Sequence, residues 1–165
     1  ACGFRALALE LRRCGWLARC EATRRSAGAG LLLDTSGLLA AIDEGQRRHA
    51  ECAAVLASRP GPFLLSPFVL AELDYLLATR VGRDAQHALL DEVARGAYRL
   101  EPFDASDIDV AKRIMLRYRE LQPGLADASI VVLAARHRVR DVLTLDRRHF
   151  QAMRQVNDRP FRVLP

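Results

Sequence analysis

From Leu31 onward, short apolar runs alternate with longer segments whose apolar residues recur at helical spacing. "GLLLD" at 30–34 is a run of leucines closed by a carboxylate and predicts a strand. "SGLLAAIDEG" and "QRRHAECAAVLASR" predict helices, the second with Cys52, Val55 and Leu56 as its apolar positions. "GPFLLS" follows the Pro60–Gly61 breaker and predicts a second strand. In "SPFVLAELDYLLATR", Ser66 is the expected N-cap and Pro67 the first helical residue. "RDAQHALLDEVARG" predicts a helix closed by Gly96, "AYRLEP" a third strand, and "DASDIDVAKRIMLRYRE" a helix capped by Asp104. "ADASIVVLAARHR" is apolar on nearly every side, which predicts a buried helix. "DVLTLD" predicts a fourth strand and "FRVLP" a fifth. Strands alternating with helices predict an α/β fold with a mainly parallel, doubly wound sheet. In such sheets, function gathers at the carboxyl ends of the strands.

The first 29 residues do not follow this pattern. They carry Cys2, Cys14 and Cys20 and the single Trp, and they run into the small-residue stretch "SAGAG". Residues 1–30 hold Arg5, Arg12, Arg13, Arg19, Arg24 and Arg25 against Glu10 and Glu21, which accounts for +4 of the net charge of +5. The basic balance therefore belongs to this leader, and says little about nucleic-acid binding by the rest. The expected organisation is a basic extension at 1–29 outside the functional domain, and one domain at 30–165. A translation start placed too far upstream would account for the extension.

The remaining totals exclude several classes. Half of the 165 residues are hydrophobic, enough for a core without staples. Cys2, Cys14, Cys20 and Cys52 form no Cys-x-x-Cys pair and the His residues are scattered, so a zinc site and a disulfide framework are both disfavoured. No apolar run approaches a membrane span, and a reducing cytoplasm is the expected compartment.

The carboxylates change the picture. Asp34 ends the first strand and Asp146 ends "DVLTLD", so two strands deliver an Asp to one edge. On a helical wheel from Phe68, the apolar residues of the Pro67 helix span an arc of about 0° to 200°, with Glu72 inside it at about 40° and Asp74 outside at about 240°. A buried Glu is costly unless paired or bound to metal. Asp127 opens the buried helix. Each acid alone has an ordinary explanation as a cap or a rim residue. Four together on one rim, without matching bases, repel one another and raise each other's pKa. A divalent cation resolves this, and hard oxygen ligands select Mg²⁺, with Mn²⁺ as a substitute. Ser36 and Thr144 stand two residues from Asp34 and Asp146, placed to brace them.

The segments "LLLDTSGLLA", "SPFVLAELDYLL" and "LADASIVVLAARHRVRDVLTLDRRHF", in this order and spacing, resemble the PIN-domain ribonucleases, specifically the VapC toxins of bacterial type II toxin–antitoxin pairs. The resemblance covers nearly all of residues 30–164. It implies a PIN-like α/β/α sandwich with a five-stranded, mainly parallel sheet. It implies an acidic quartet of Asp34, Glu72, Asp127 and Asp146 holding Mg²⁺, with Ser36 and Thr144 in support. It further implies cleavage of a tRNA or rRNA, a VapB-type antitoxin as partner, and a homodimer. In that mechanism Asp34, Glu72 and Asp127 are the main ligands, and Asp146 holds a second ion or orients a water. Arg147 and Arg148 follow Asp146 and are candidates for RNA phosphates. Arg117 and Arg119 read as an ordinary solvated face, and His149 as structural or substrate-contacting rather than catalytic.

Other classes fit less well. A haloacid-dehalogenase-like phosphotransferase needs a second acid two residues after its nucleophile, and Ser36 stands there. A receiver-like module needs an adjacent acidic pair after the first strand, which Leu33–Asp34 does not supply. A catalytically silent PIN-like module that binds RNA or a partner is the remaining alternative.

Overall fold

The computed structural model describes residues 30–154 and 159–165. The basic leader, and its expected place outside the functional domain, lies outside the described residues. Strand β1 (Leu31–Leu33) is followed by helices α1 (Thr35–Ile42) and α2 (His49–Ala57). Next come β2 (Phe63–Leu65), α3 (Pro67–Leu76) with a π-helical turn at Leu77–Val81, and α4 (Arg83–Ala94). Then β3 (Arg99–Leu100), α5 (Ala105–Arg117), a 3₁₀ turn at Arg119–Leu121, and α6 (Leu125–His137) follow. The described chain closes with β4 (Asp141–Leu143), α7 (Arg147–Ala152) and β5 (Arg162–Leu164).

The five strands form one sheet in the order β3-β2-β1-β4-β5, and every pairing is parallel. The three inner strands are buried at every residue. This explains the unbroken apolar runs of β1 and β2: helices cover both faces, so no position is left for a polar alternate; in β4 the buried Asp141 is the exception, held by Arg59 and Arg162. Burying each leucine of Leu31–Leu33 contributes roughly 1.5–3 kcal/mol. The edge strand β3 is two residues long and exposed, a short edge that offers little to a foreign strand.

Predicted caps hold where their chemistry is local. Ser66 accepts from the Phe68 N–H at 3.2 Å, with Pro67 at the first helical position. Asp104 accepts from the Ser106 and Asp107 N–H groups, and Asp107 returns a bond to the Asp104 N–H. Helix α6 is buried from Ala128 to Ala134, as its composition predicts. Gly37 has a steric reason. A Cβ there would stand 2.4 Å from the Leu143 carbonyl oxygen, so the first turn of α1 lies against the main chain of β4.

Several boundaries differ from expectation. The buried helix begins at Leu125, so Asp127 is its third residue rather than its opening one. β4 stops at Leu143, so Asp146 does not end a strand; it lies three residues beyond and caps α7. That helix is six residues long, too short for a clear period, and was not expected.

Chain order places the site. From β1 the chain winds outward through β2 to β3, then crosses to the other side of β1 for β4 and β5. The reversal leaves a crevice beyond the carboxyl ends of β1 and β4, the usual ligand position in such sheets.

Candidate active site

Asp34 is the first residue past β1. Its backbone N–H still bonds the Leu143 carbonyl at 3.1 Å, so the sheet itself fixes its place. Its side chain is 5% exposed and caps α1 through the Ser36 N–H at 3.3 Å. The Ser36 hydroxyl donates to Asp34 Oδ2 at 2.6 Å and the Thr144 hydroxyl donates to the same oxygen at 2.7 Å. The two hydroxyl oxygens lie 3.2 Å apart, but each has given its one proton to Asp34, so this is contact. Their lone pairs are also occupied: the Leu145 N–H donates to Ser36 Oγ and the Asp146 N–H to Thr144 Oγ1, both at 2.9 Å. Two hydroxyls thus join the ends of β1 and β4 and hold the backbone at Asp146.

Glu72 reaches the rim from α3. The Thr35 hydroxyl donates to its Oε2 at 2.8 Å. Contrary to expectation, Glu72 is exposed. The buried residues of this helix are Val69, Leu73 and Leu77, which centre the core face near 140° on the wheel, about 100° from Glu72. Phe68 had widened the expected arc, but it is only half-buried, edge-on to Phe103. Asp74 on the opposite flank is half-buried rather than free, and accepts from Gln86 Nε2 at 2.8 Å.

Asp127 accepts from the Gly124 N–H at 2.9 Å across the mouth of α6. α6 is tied to α3 beneath it: the buried Ser129 hydroxyl lies 2.6 Å from both Ser66 Oγ and the Ala126 carbonyl. Asp146 caps α7 through the His149 N–H at 3.2 Å. The His149 ring closes the group. Its Nε2 lies 3.0 Å from the Leu121 carbonyl, which can only accept, so Nε2 carries a proton. Its Nδ1 faces Asp127 Oδ2 at 3.2 Å and Asp146 Oδ2 at 3.3 Å, and makes no hydrogen bond among the described residues.

All four predicted acids therefore meet at one crevice, each as part of a capping or hydroxyl network. Burial pushes the Asp34 carboxyl above its usual range; the Ser36 and Thr144 hydroxyls pull it back, and Asp127 pushes it up again. Burial also raises Asp127, against the Gly124 N–H and His149, while Asp146 and Glu72 add repulsion. Among the described residues, no Arg or Lys pairs with any of the four, and His149 is their one basic partner.

Thr35 escaped sequence reasoning, and His149 was expected only as structural or substrate-contacting. Thr35 directly follows Asp34, and its adjacency was the available signal. His149 stands three residues after Asp146, one helical turn on, but the six-residue helix that turns it inward left no periodic trace. The arginines are more mixed. Arg147 is exposed and donates to the Pro165 carbonyl at 2.7 Å. Arg148 is exposed, with no hydrogen bond or ion pair to a described residue. Arg117 stacks over the Tyr118 ring and Arg119 pairs with Glu120, in line with a solvated face.

A parallel sheet with acidic side chains at its switch point is an arrangement that metal-dependent hydrolases can use, among other classes. Residues 31–155 match the PIN domain family, and the chain belongs to it. It is 47% identical over 135 residues to Ribonuclease VapC26 of Mycobacterium tuberculosis, which covers 82% of this chain and 100% of that protein. Its fold matches the crystal structure of Mycobacterium tuberculosis VapC20, described as a sarcin–ricin loop cleaving toxin, with a TM-score of 0.70 at 25% identity, over 79% of this chain and 100% of the other. The chain is a VapC-family PIN-domain ribonuclease.

The donor chemistry suits a hard divalent cation. Four carboxylates with hydroxyl support supply oxygen ligands, and the mutual repulsion on Asp127 is what such a cation relieves. As placed, the acids do not close a three-ligand cage among the described residues. Asp127 is drawn to Gly124, Asp146 to the His149 N–H and Glu72 to Thr35, which keeps like charges apart.

Proposed function

We propose that Asp34, Glu72, Asp127 and Asp146 hold Mg²⁺, with Mn²⁺ as a substitute, and that this centre cuts a tRNA or ribosomal RNA loop to arrest translation. The observation that carries the assignment is the convergence of four carboxylates on the switch-point crevice with His149 as their one basic partner among the described residues, two of them with raised pKa values. When bound, the cation lowers the pKa of a coordinated water and offsets charge developing on the phosphate. Asp34, held rigidly by Ser36 and Thr144, is the anchoring ligand. Glu72 and Asp127 complete the cradle, and Asp146 holds a second ion or orients the attacking water. Thr35 steadies Glu72. Water is the nucleophile and the 3′-oxygen the leaving group, so the products are a 5′-phosphate and a 3′-hydroxyl; neither a covalent side-chain nucleophile nor the 2′-hydroxyl takes part. Arg147 and Arg148 bind flanking phosphates.

The partner we propose is a VapB-type antitoxin, and the active unit a homodimer in the cytoplasm. No helix among the described residues is long and apolar enough to cross a membrane. The test is incubation of the full chain with total bacterial RNA in Mg²⁺ or in EDTA, with mapping of the new ends. A discrete cut carrying a 5′-phosphate, absent in EDTA and absent with Asp34→Asn, is expected. A cut that survives in the Asn variant would overturn the assignment. RNA binding without any cut would favour the silent binding module.

A further inference from the structure

The opposite end of the sheet carries the reverse charge. Arg138 and Arg140 lie just before β4, while Asp141 begins β4 and Arg162 begins β5, paired in register with Asp141. These four residues line an open pocket of about 230 Å³ at the amino ends of the strands. Arg59, on the connection into β2, reaches the same place. Asp141 is 9% exposed; its Oδ1 accepts from Arg162 Nε at 2.7 Å, and its Oδ2 accepts from Arg59 Nη1 at 2.6 Å and from Arg162 Nη2. Two guanidiniums thus hold one carboxylate, and Arg138 and Arg140 line the same pocket. Asp141 fixes Arg59 and Arg162 in place, which reduces the entropy lost when they grip a ligand. Arg138 is exposed and makes no hydrogen bond or ion pair to a described residue. Arg140 gives its Nε to the Pro160 carbonyl at 3.1 Å. The Arg138 guanidinium and the Nη groups of Arg140, which make no hydrogen bond to a described residue, suit a tetrahedral oxyanion at this open cavity.

We infer that the pocket of Arg138, Arg140, Asp141 and Arg162 is a second docking site for a backbone phosphate of the RNA, away from the bond that is cut. β5 connects the two ends of the sheet. Arg147 touches Pro165 just past its carboxyl end, with Arg148 beside it, and Arg162 stands at its amino end. The span along the strand is about 10 Å, a few phosphate spacings of one strand. A strand leaving the acidic crevice past Arg147 can therefore follow β5 to the basic pocket. An acidic protein segment is the competing occupant. The inference rests on RNA being the substrate.

The test is binding of fluorescent bulk tRNA to the full chain in EDTA, across a salt series, with Arg138→Gln/Arg140→Gln against wild type. Arg80→Gln/Arg83→Gln, two exposed changes away from the pocket, removes the same two charges and controls for net charge. The double variant is expected to lower the salt slope by about one to two and to weaken binding roughly 10- to 30-fold at about 0.15 M salt. The cleavage rate at saturating RNA should stay at the wild-type value, since no acid is touched. A double variant that parallels the Arg80→Gln/Arg83→Gln control overturns the docking site and leaves the nuclease reading intact. Absence of salt-dependent RNA binding by the wild type overturns both.

Discussion

Replacing Thr144 with Val keeps the shape of the side chain and removes one buried oxygen. Thr144 is 0% exposed, and its hydroxyl serves two acids at once. It donates to Asp34 Oδ2 at 2.7 Å and accepts from the Asp146 N–H at 2.9 Å. A hydrogen bond to a charged group contributes about 1.5–3 kcal/mol, and an N–H left without its acceptor costs about 1–3 kcal/mol more. Partial solvent access at Asp146, whose side chain is 42% exposed, softens the second loss. The expected destabilisation is therefore about 3 kcal/mol, or about 6–12 °C in Tm for a domain of this size. Function should suffer more than stability. Both Asp34 and Asp146 lose their alignment, and such supporting groups typically contribute 10–100-fold in metal affinity or activity. Thermal unfolding in EDTA reads the first effect, and cleavage rate against Mg²⁺ concentration reads the second. Thr144→Ser restores the hydroxyl and should recover most of both. A Val variant with wild-type Tm and wild-type metal dependence would refute the claim that this hydroxyl aligns the acids.

Asp34→Asn should abolish cleavage and yet raise the Tm of the metal-free protein at neutral pH. The folded-state pKa values of Asp34 and Asp127 are raised, so the folded chain holds more protons than the unfolded one above the ordinary carboxylate value. Their contribution is fully present below about pH 4 and is lost as pH rises through the folded values. Removing Asp34 should flatten that fall, and an unchanged pH slope in EDTA would contradict burial as its main cause. Gly37→Ala places a Cβ 2.4 Å from the Leu143 carbonyl oxygen, where main chain must move. A loss of about 3 kcal/mol is expected by chemical denaturation, and a wild-type midpoint would show that α1 can shift freely.

Much of this was legible in the chain. β1 and β2 are buried on both faces and announce themselves as unbroken apolar runs, so they stand where the pattern predicts, and β4 starts where "DVLTLD" starts. Ser66 and Asp104 cap their helices through bonds spanning two or three residues, which local sequence encodes. What it hid was set by distant contacts. Glu72 was expected on the core face because Phe68 looked like core, but Phe68 packs on Phe103, which nothing nearby in sequence reveals. Asp146 was read as a strand end, because "DVLTLD" does not show that pairing stops at Leu143 and that Thr144 then turns to Asp34. His149 reaches the acids on a helix of six residues, below the length at which a period can be seen. The basic pocket is assembled from Arg59, Arg138, Arg140 and Arg162, which only the sheet register brings to one end.

The most direct test of the acidic centre is calorimetric titration of the full chain with Mn²⁺, wild type beside Asp34→Asn and Asp127→Asn. The account predicts binding by the wild type that tightens as pH rises and the raised acids lose their protons. Both Asn variants should bind far more weakly. Equal binding by all three proteins, or binding by the wild type that ignores pH, would mean that these carboxylates do not hold the metal.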